Sequence, residues 1–472
     1  MTIRLGKYFN LSGTGHTAKY GFRIEMTKLG ASALSINVKS TNCEIDHVEV
    51  AGFRLSGGRY SIGSSGIVAK TDPVYCDPST WRPNFTMYDV KIHDNYIHNV
   101  TNEGMYIGHT SWSAGTTGVC GTDTAKIKAY PHAIMGLQIY NNKVDSTGWD
   151  GFQYACSPDA QVHHNIVTHA GLSLTAGQDN GIQIGGGAGG NMYSNTIDRV
   201  SGTGINAIDF IGGTKVYNNL VSRTGKPGIY TRNGPATQTA PLPRLPFLIA
   251  NNTFDSTGYS GFDPLELVDV ADSIYVINNA IVGLAASRLY INVTAGAIFT
   301  EGNNYKVATR PSNLFVNPLI GDYRAKSGAP IINQGQSITR WNIIKDRWDG
   351  TRVLNSIVDI GALEYGNTYS GGIPPQLRVA AAAYPLDRAA NSGSVLLYPN
   401  PTVDHVTLRS NDSDVIQSVM VSNQLGTSVI QQKNKEEYAE MELDFSQLPT
   451  GLYILHVEYK SGLISQRKVI KR

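Results

Sequence analysis

Two acidic residues that precede glycine at matching places, Glu103 and Asp150, are where chemistry would begin. The segments Glu103-Gly-Met-Tyr-Ile-Gly108, Trp149-Asp-Gly-Phe-Gln153 and Gln178-Asp-Asn-Gly-Ile-Gln-Ile-Gly185 read as one column written three times. Two carboxylates on neighbouring copies repel, which raises one pKa or recruits a cation. At a strand spacing of ~4.8 Å the pair suits the acid and nucleophile of a retaining glycosidase, for which about 5–5.5 Å is typical. With Asp179, and with Asn180 as a further oxygen donor, the same pair could instead hold Ca²⁺. A base would then be sought at His109, Lys126 or Arg232, with Lys128 and His132 close in sequence to the same loop. The plain alternative is that these acids cap turns.

One outward position per copy lies between apolar neighbours: Tyr106, Gln153, Gln183, Asn206, Tyr230 and Asp263. Neutral amides and phenols suit sugar hydroxyls, and aromatic faces suit sugar rings. Trp112 and Trp149, and further off Trp81, fall in loops or turns beside this column. A solvated polar face is the competing explanation. His163 and His164 have no histidine at the matching place in the next copy and read as exposed corner residues.

What must position these residues is a repeat. An Asn recurs with an apolar residue three before it and another two after it: Asn95, Asn142, Asn165, Asn195, Asn219, Asn252 and Asn279. A Gly that opens an apolar-any-apolar triplet follows its Asn by a constant offset at Gly104, Gly151, Gly204, Gly228 and Gly261, with Gly181 delayed by a longer corner. Apolar residues two apart share a face of a strand, and Asn tolerates the left-handed backbone of a sharp corner. Stacked Asn amides can bond one another in a ladder. A period of about two dozen residues is the signature of stacked coils rather than of a compact core.

The longest insertions leave one corner of this repeat: Lys70 to Thr86, the 109 to 132 segment, and the stretch after Gly228. Loops gathered on one edge of a rigid scaffold commonly wall a cleft. Cys76 and Cys120 lie in two of these loops on adjacent coils and are expected to form a disulfide, while Cys43 and Cys156 are expected to stay free.

The spacing resembles the right-handed parallel β-helix superfamily, which includes many polysaccharide lyases and glycoside hydrolases. The ends carry two further resemblances. Asp359-Ile-Gly-Ala-Leu-Glu-Tyr365 resembles the closing segment of exported bacterial β-helix proteins. Leu396-Leu-Tyr-Pro-Asn-Pro401, Leu448-Pro-Thr-Gly-Leu-Tyr453 and the basic end Lys468-Val-Ile-Lys-Arg472 resemble the type A C-terminal sorting domain of the type IX secretion system. The expected organisation is an all-β chain. It has a parallel β-helix over 1–335, a closing cap over 336–366, a linker over 367–393 and a small antiparallel β-sandwich over 394–472. The last resemblance implies export to the medium or the outer-membrane surface. Met1 to Asn10 has no signal-peptide pattern, and the chain is expected to start inside a repeat, with its true N-terminus upstream.

Composition narrows the rest. Of 472 residues 50 are Gly and 16% are charged, which fits many turns and short strands. A net charge of +2 with no basic block gives nucleic acid little electrostatic purchase. No apolar run approaches the roughly 18 residues of a membrane span. The expected function is a secreted polysaccharide-cleaving protein, lyase or hydrolase. The alternatives are a glycan-binding adhesin without catalysis and a structural solenoid.

Overall fold

Among the described residues, three parallel sheets of ten strands each wrap the first unit of the chain into a solenoid, a parallel β-helix of ten coils. The computed structural model describes residues 1–26, 30–52, 65–233, 245–270, 273–283, 289–293, 298–369, 395–410, 416–423, 428–434, 440–459 and 464–472. In each coil a strand of the first sheet is followed by one of the second and one of the third. The fourth coil shows the order: Met105–Ile107, then Gln138–Tyr140, then Lys143–Asp145. Strands of three to six residues suffice because each buries only its inward side chains.

Along the first sheet the inward residues Ile67, Met105, Phe152, Ile182, Ile205, Ile229 and Leu265 stack in register, all fully buried. Each such side chain contributes about 1.5–3 kcal/mol by leaving water. Glycine opens these strands because the next coil passes too close for a side chain. A Cβ on Gly151 would sit 2.3 Å from Val167 and 2.4 Å from the carbonyl of Gly181.

The Asn ladder is continuous. Each Nδ2 donates to the next Oδ1 at 3.0 Å, from Asn95 through Asn142, Asn165, Asn195, Asn219, Asn252 and Asn279 to Asn304. The left-handed residue at this corner is not the ladder Asn but the one before it. Asp94, Asn141, His164, Ser194, Asn218, Asn251 and Asn278 carry φ between 51° and 56°. That residue makes the bend, and the following Asn is thereby aimed inward.

Two expectations need correcting. In the ninth coil Tyr230 pairs with Glu266, so the outward column continues through Glu266 and not Asp263. The turn before this strand is longer by three residues. Asp263 instead accepts from the Leu289 amide and from Asn292 Nδ2 of the tenth coil. The expected cap over 336–366 does not lie across the last coil. It runs back along the side of the solenoid, over the ladder corner. Gln336 and Asp359 carbonyls accept from Asn278 and Asn251, the Lys345 carbonyl accepts from Asn218, and buried Arg347 donates to the Asn195 carbonyl. Corner side chains of successive coils offer a row of amides, and the strap satisfies them in turn.

The chain divides into two compact units, Met1–Val379 and Ala380–Arg472. The second has a three-stranded and a four-stranded antiparallel sheet around Val406, Leu408, Val419, Val421, Leu443, Leu455 and Val457. The expected linker lies outside the described residues from 370 onward. Among the described residues no helix is long and apolar enough to cross a membrane.

Candidate functional site

The outward column of the first sheet forms a hydrogen-bonded relay. Asn206 Nδ2 donates to Gln183 Oε1 (3.0 Å), Gln183 Nε2 to Gln153 Oε1 (2.8 Å) and Gln153 Nε2 to Glu103 Oε1 (3.1 Å). Ser65 Oγ donates to the other Glu103 oxygen. Parallel pairing in register aligns these side chains, and every amide takes the same orientation because the relay ends on a pure acceptor. Tyr106 and Tyr230 are half-buried at the two ends of the amide run.

Glu103 and Asp150 do lie on neighbouring coils, since Met105 pairs with Phe152. They are, however, 2% and 0% exposed. Asp150 Oδ1 accepts from the backbone amide and the side-chain amide of Asn180, and its Oδ2 has no hydrogen-bond partner. Burial, with Glu103 alongside, holds the Asp150 carboxyl well above the ordinary range. Burial also raises Glu103, against the opposing pull of Ser65 and Lys70. The pair is thus packed into the corner between the third and first sheets, where burial penalises the charged forms.

The expected Ca²⁺ set does not converge. Asp179 pairs with Lys226 Nζ at 2.7 Å and packs against Gly202 of the next coil. Its charge also reaches Asp150 and adds to the rise of that carboxyl's pKa.

The 70–86 and 109–132 insertions stand at the opposite end of these strands, at the first-to-second sheet corner, while the one after Gly228 lies outside the described residues over 234–244. The Cys76–Cys120 disulfide joins the first two, with Cα atoms 4.8 Å apart, and Cys43 and Cys156 are free and buried. The Arg82 guanidinium lies 3.6 Å from the Trp112 ring centroid and donates to the Trp112 carbonyl. Trp112 in turn packs on Gly187, where any Cβ would collide with its ring. Thr116–Gly118 and Ile127–Ala129 form a hairpin, and Thr86–Tyr88 pairs with Ala133–Met135. The result is one braced body beside the column. Across the column, Trp149 is half-buried at the corner that holds Asp150.

Where the braced body meets the column, a polar constellation gathers that the sequence reading only partly named. Lys70 Nζ sits 4.3 Å from the Tyr106 ring centroid and 2.9 Å from Asp72. His109 Nε2 is 3.9 Å from Asp72, and its Nδ1 accepts from the Ser111 amide. Burial and the Lys70 charge lower the His109 pKa, so the ring is neutral at pH 7 with its proton on Nε2. It can donate into the column but has no free lone pair with which to act as base. His132 is internal: it accepts from the Thr71 amide and bonds the Ala133 carbonyl. Lys126, Lys128 and Arg232 are exposed. Lys70 was missed because it follows the strand's last inward residue and reads as an ordinary loop lysine.

A second column was also missed. On the second sheet His93, Tyr140, His163, Tyr193 and Tyr217 stack face to face, with successive centroids 4.4, 5.1, 4.7 and 5.0 Å apart. The expectation of an exposed His163 is therefore corrected. It is one rung of this ladder, half-buried, and desolvation pushes its pKa down to about 4. Each ring lies two residues before a ladder Asn, a constant offset that mixed His and Tyr disguised.

The fold and its columns define a right-handed parallel β-helix protein, to which a secretion sorting domain is appended. Residues 132–310 match the family model described as right handed beta helix region, and residues 396–472 match the secretion system C-terminal sorting domain. The sorting domain indicates a secreted or cell-surface protein. Similar solved structures include the full-length tailspike protein 2 of an Escherichia coli O157:H7 bacteriophage, with 10% identity and TM-score 0.37 over 95% of this chain. This chain spans 60% of that tailspike's length. The enzymatically active domain of the phage CBA120 tailspike protein 2 gives 10% identity and TM-score 0.33, covering 95% of this chain and 67% of that one. The mannuronan C-5 epimerase A-module of Azotobacter vinelandii gives 10% identity and TM-score 0.22, covering 66% and 90%. Comparison with curated proteins finds no match.

Proposed function

We propose that this chain is exported through the type IX system and binds an acidic extracellular polysaccharide along the first sheet. One observation carries the reading: a lysine held over half-buried Tyr106 stands at the edge of a disulfide-braced wall, above an amide relay, Asn206 to Gln183 to Gln153, that is itself buried and forms the floor. Coils repeat at the strand spacing, so two coils span ~10 Å, about the length of two sugar units in an extended chain. Lys70 would exchange its Asp72 partner for a uronate carboxylate, Tyr106 beside it supplies a phenol and ring edge, and Tyr230 extends the contact toward later coils.

Binding is favoured over hydrolysis at Glu103 and Asp150. A catalytic acid must come within hydrogen-bond reach of the glycosidic oxygen, and both carboxyls are buried. A second reading, elimination from a uronate, draws on the convergence of Lys70, Tyr106 and His109. Elimination needs a cation at the carboxylate, a base that takes the α-proton and a donor to the leaving oxygen, and in this reading they are Lys70, the Tyr106 phenol oxygen and His109 Nε2–H in turn. The test is a panel of acidic and neutral polysaccharides, with affinity electrophoresis for binding, ultraviolet absorbance for elimination and reducing ends for hydrolysis. Retardation by acidic polymers alone supports the first reading, and absorbance growth adds the second. No retardation by any acidic polymer contradicts both.

A further inference from the structure

On the second sheet, near the N-terminal end of the solenoid, three metal-ligating side chains converge. Register places Asp46 beside His93 and Glu44 beside Lys91 on adjacent coils. One ligand atom from each of Glu44, Asp46 and His93 lies within 4.8 Å of the others. From this geometry we infer that the three residues form a binding site for one divalent transition-metal ion of the Zn²⁺ class. The inference does not depend on the proposed function.

The orientation of His93 is the main argument. Its Nδ1 is 2.9 Å from Asp94 Oδ2, and its ring is stacked on Tyr140 at 4.4 Å with planes 6° apart. A carboxylate on Nδ1 is the arrangement that supports a histidine ligand from behind, with Nε2 as the ligating atom once its proton is displaced. That Nε2 faces Glu44 Oε1 at 2.8 Å. At that distance Nε2 donates a hydrogen bond to the carboxylate, so a divalent cation would enter by displacing this proton, with Glu44 drawing back to make room, and Asp46 adds a second carboxylate.

The surroundings fit an open site. Asp46 is buried and steadied by Ser12 Oγ at 2.6 Å and by His47 Nδ1 at 2.7 Å. Glu44 is half-buried and lines a cavity of about 330 Å³ with Asn42, Asp89 and Lys91, which gives an ion a way in. The Lys91 ammonium stands 4.0 Å from the second Glu44 oxygen and can swing aside. One imidazole and two carboxylates leave a fourth tetrahedral position for water. Mixed nitrogen and oxygen donors favour Zn²⁺ or its neighbours over Ca²⁺, which prefers oxygen alone.

The test is calorimetric titration of ZnCl₂ into the full chain after chelator treatment, with CaCl₂ in parallel. One saturable Zn²⁺ per chain is expected, weakened roughly tenfold or more by His93→Gln and by Glu44→Gln. His98→Gln is the control, because His98 makes a similar pair with Glu49 at 3.0 Å on the third sheet but gathers no third ligand among the described residues. It should leave the affinity unchanged. Circular dichroism confirms that each variant is folded, and Glu44→Gln carries the test alone if His93→Gln is not. Absence of saturable Zn²⁺ binding, or binding that survives the ligand substitutions, would overturn the site.

Discussion

At the scale of single residues, burial separates the acids that hold the solenoid together from the groups free to meet a ligand. Glu103 and Asp150 were legible as a pair on neighbouring coils because glycine marks their phase. Their burial was not legible, since it depends on how the corner between third and first sheets closes over them. Both are raised by burial, so the folded chain holds their protons more tightly than the unfolded chain does. The associated stability is complete below the ordinary carboxylate pKa of about 4 and is lost as pH rises through the folded values. Asp150→Asn keeps an acceptor for Asn180 and removes the charge. It should therefore raise stability at pH 7 by about 1–3 kcal/mol, with the gain vanishing near pH 4, as read by denaturant unfolding at the two pH values. A variant less stable than the parent at pH 7 would mean that Asp150 is ionised and bound to a positive partner.

At the scale of elements, the ladders and the braced insertions carry distinct loads. Asn165 accepts from the Asn142 backbone and side chain and donates to the Ile139 carbonyl and to Asn195. Asn165→Ala leaves several buried groups unpaired and should cost about 2–4 kcal/mol in equilibrium unfolding. Asn165→Asp should be no better, because a carboxylate cannot donate to Ile139. The insertions are different, since they pack beside the coils and not within them. Removing the Cys76–Cys120 bridge with paired serines frees a loop closed over 44 residues. Its effect, about 2–4 kcal/mol, should fall on the insertions. Limited proteolysis should then cut between residues 109 and 132 while the β-helix stays intact. The sequence made the coil period, the phase of the Asn ladder and the disulfide readable, because each is a local spacing repeated many times. It did not make readable that the left-handed residue precedes the ladder Asn, that Glu266 and not Asp263 continues the column, or that the 336–366 segment is a lateral strap. Those depend on turn lengths and on which unfilled hydrogen-bond row a segment finds. The aromatic column is hidden for another reason: His and Tyr share one offset, so its positions agree in ring shape and not in residue identity.

At the scale of the whole molecule, one chain carries a long repetitive surface and a secretion sorting domain. A solenoid is stabilised by nearest-neighbour stacking, so its activity should not need the second unit. A chain ending after Tyr369 should fold and bind polysaccharide as the full chain does, whereas the full chain alone should reach the surface of a type IX-competent cell. The central claim, an acidic glycan laid along the first sheet with Lys70 as its cation, is tested most directly by titrating a uronic acid oligosaccharide into the chain and its Lys70→Ala variant. Tight binding by the parent is expected, with a loss of roughly tenfold or more in the variant, unchanged melting, and a weaker response to a neutral oligosaccharide of equal length. Equal affinity of parent and variant for the acidic oligosaccharide would contradict the claim.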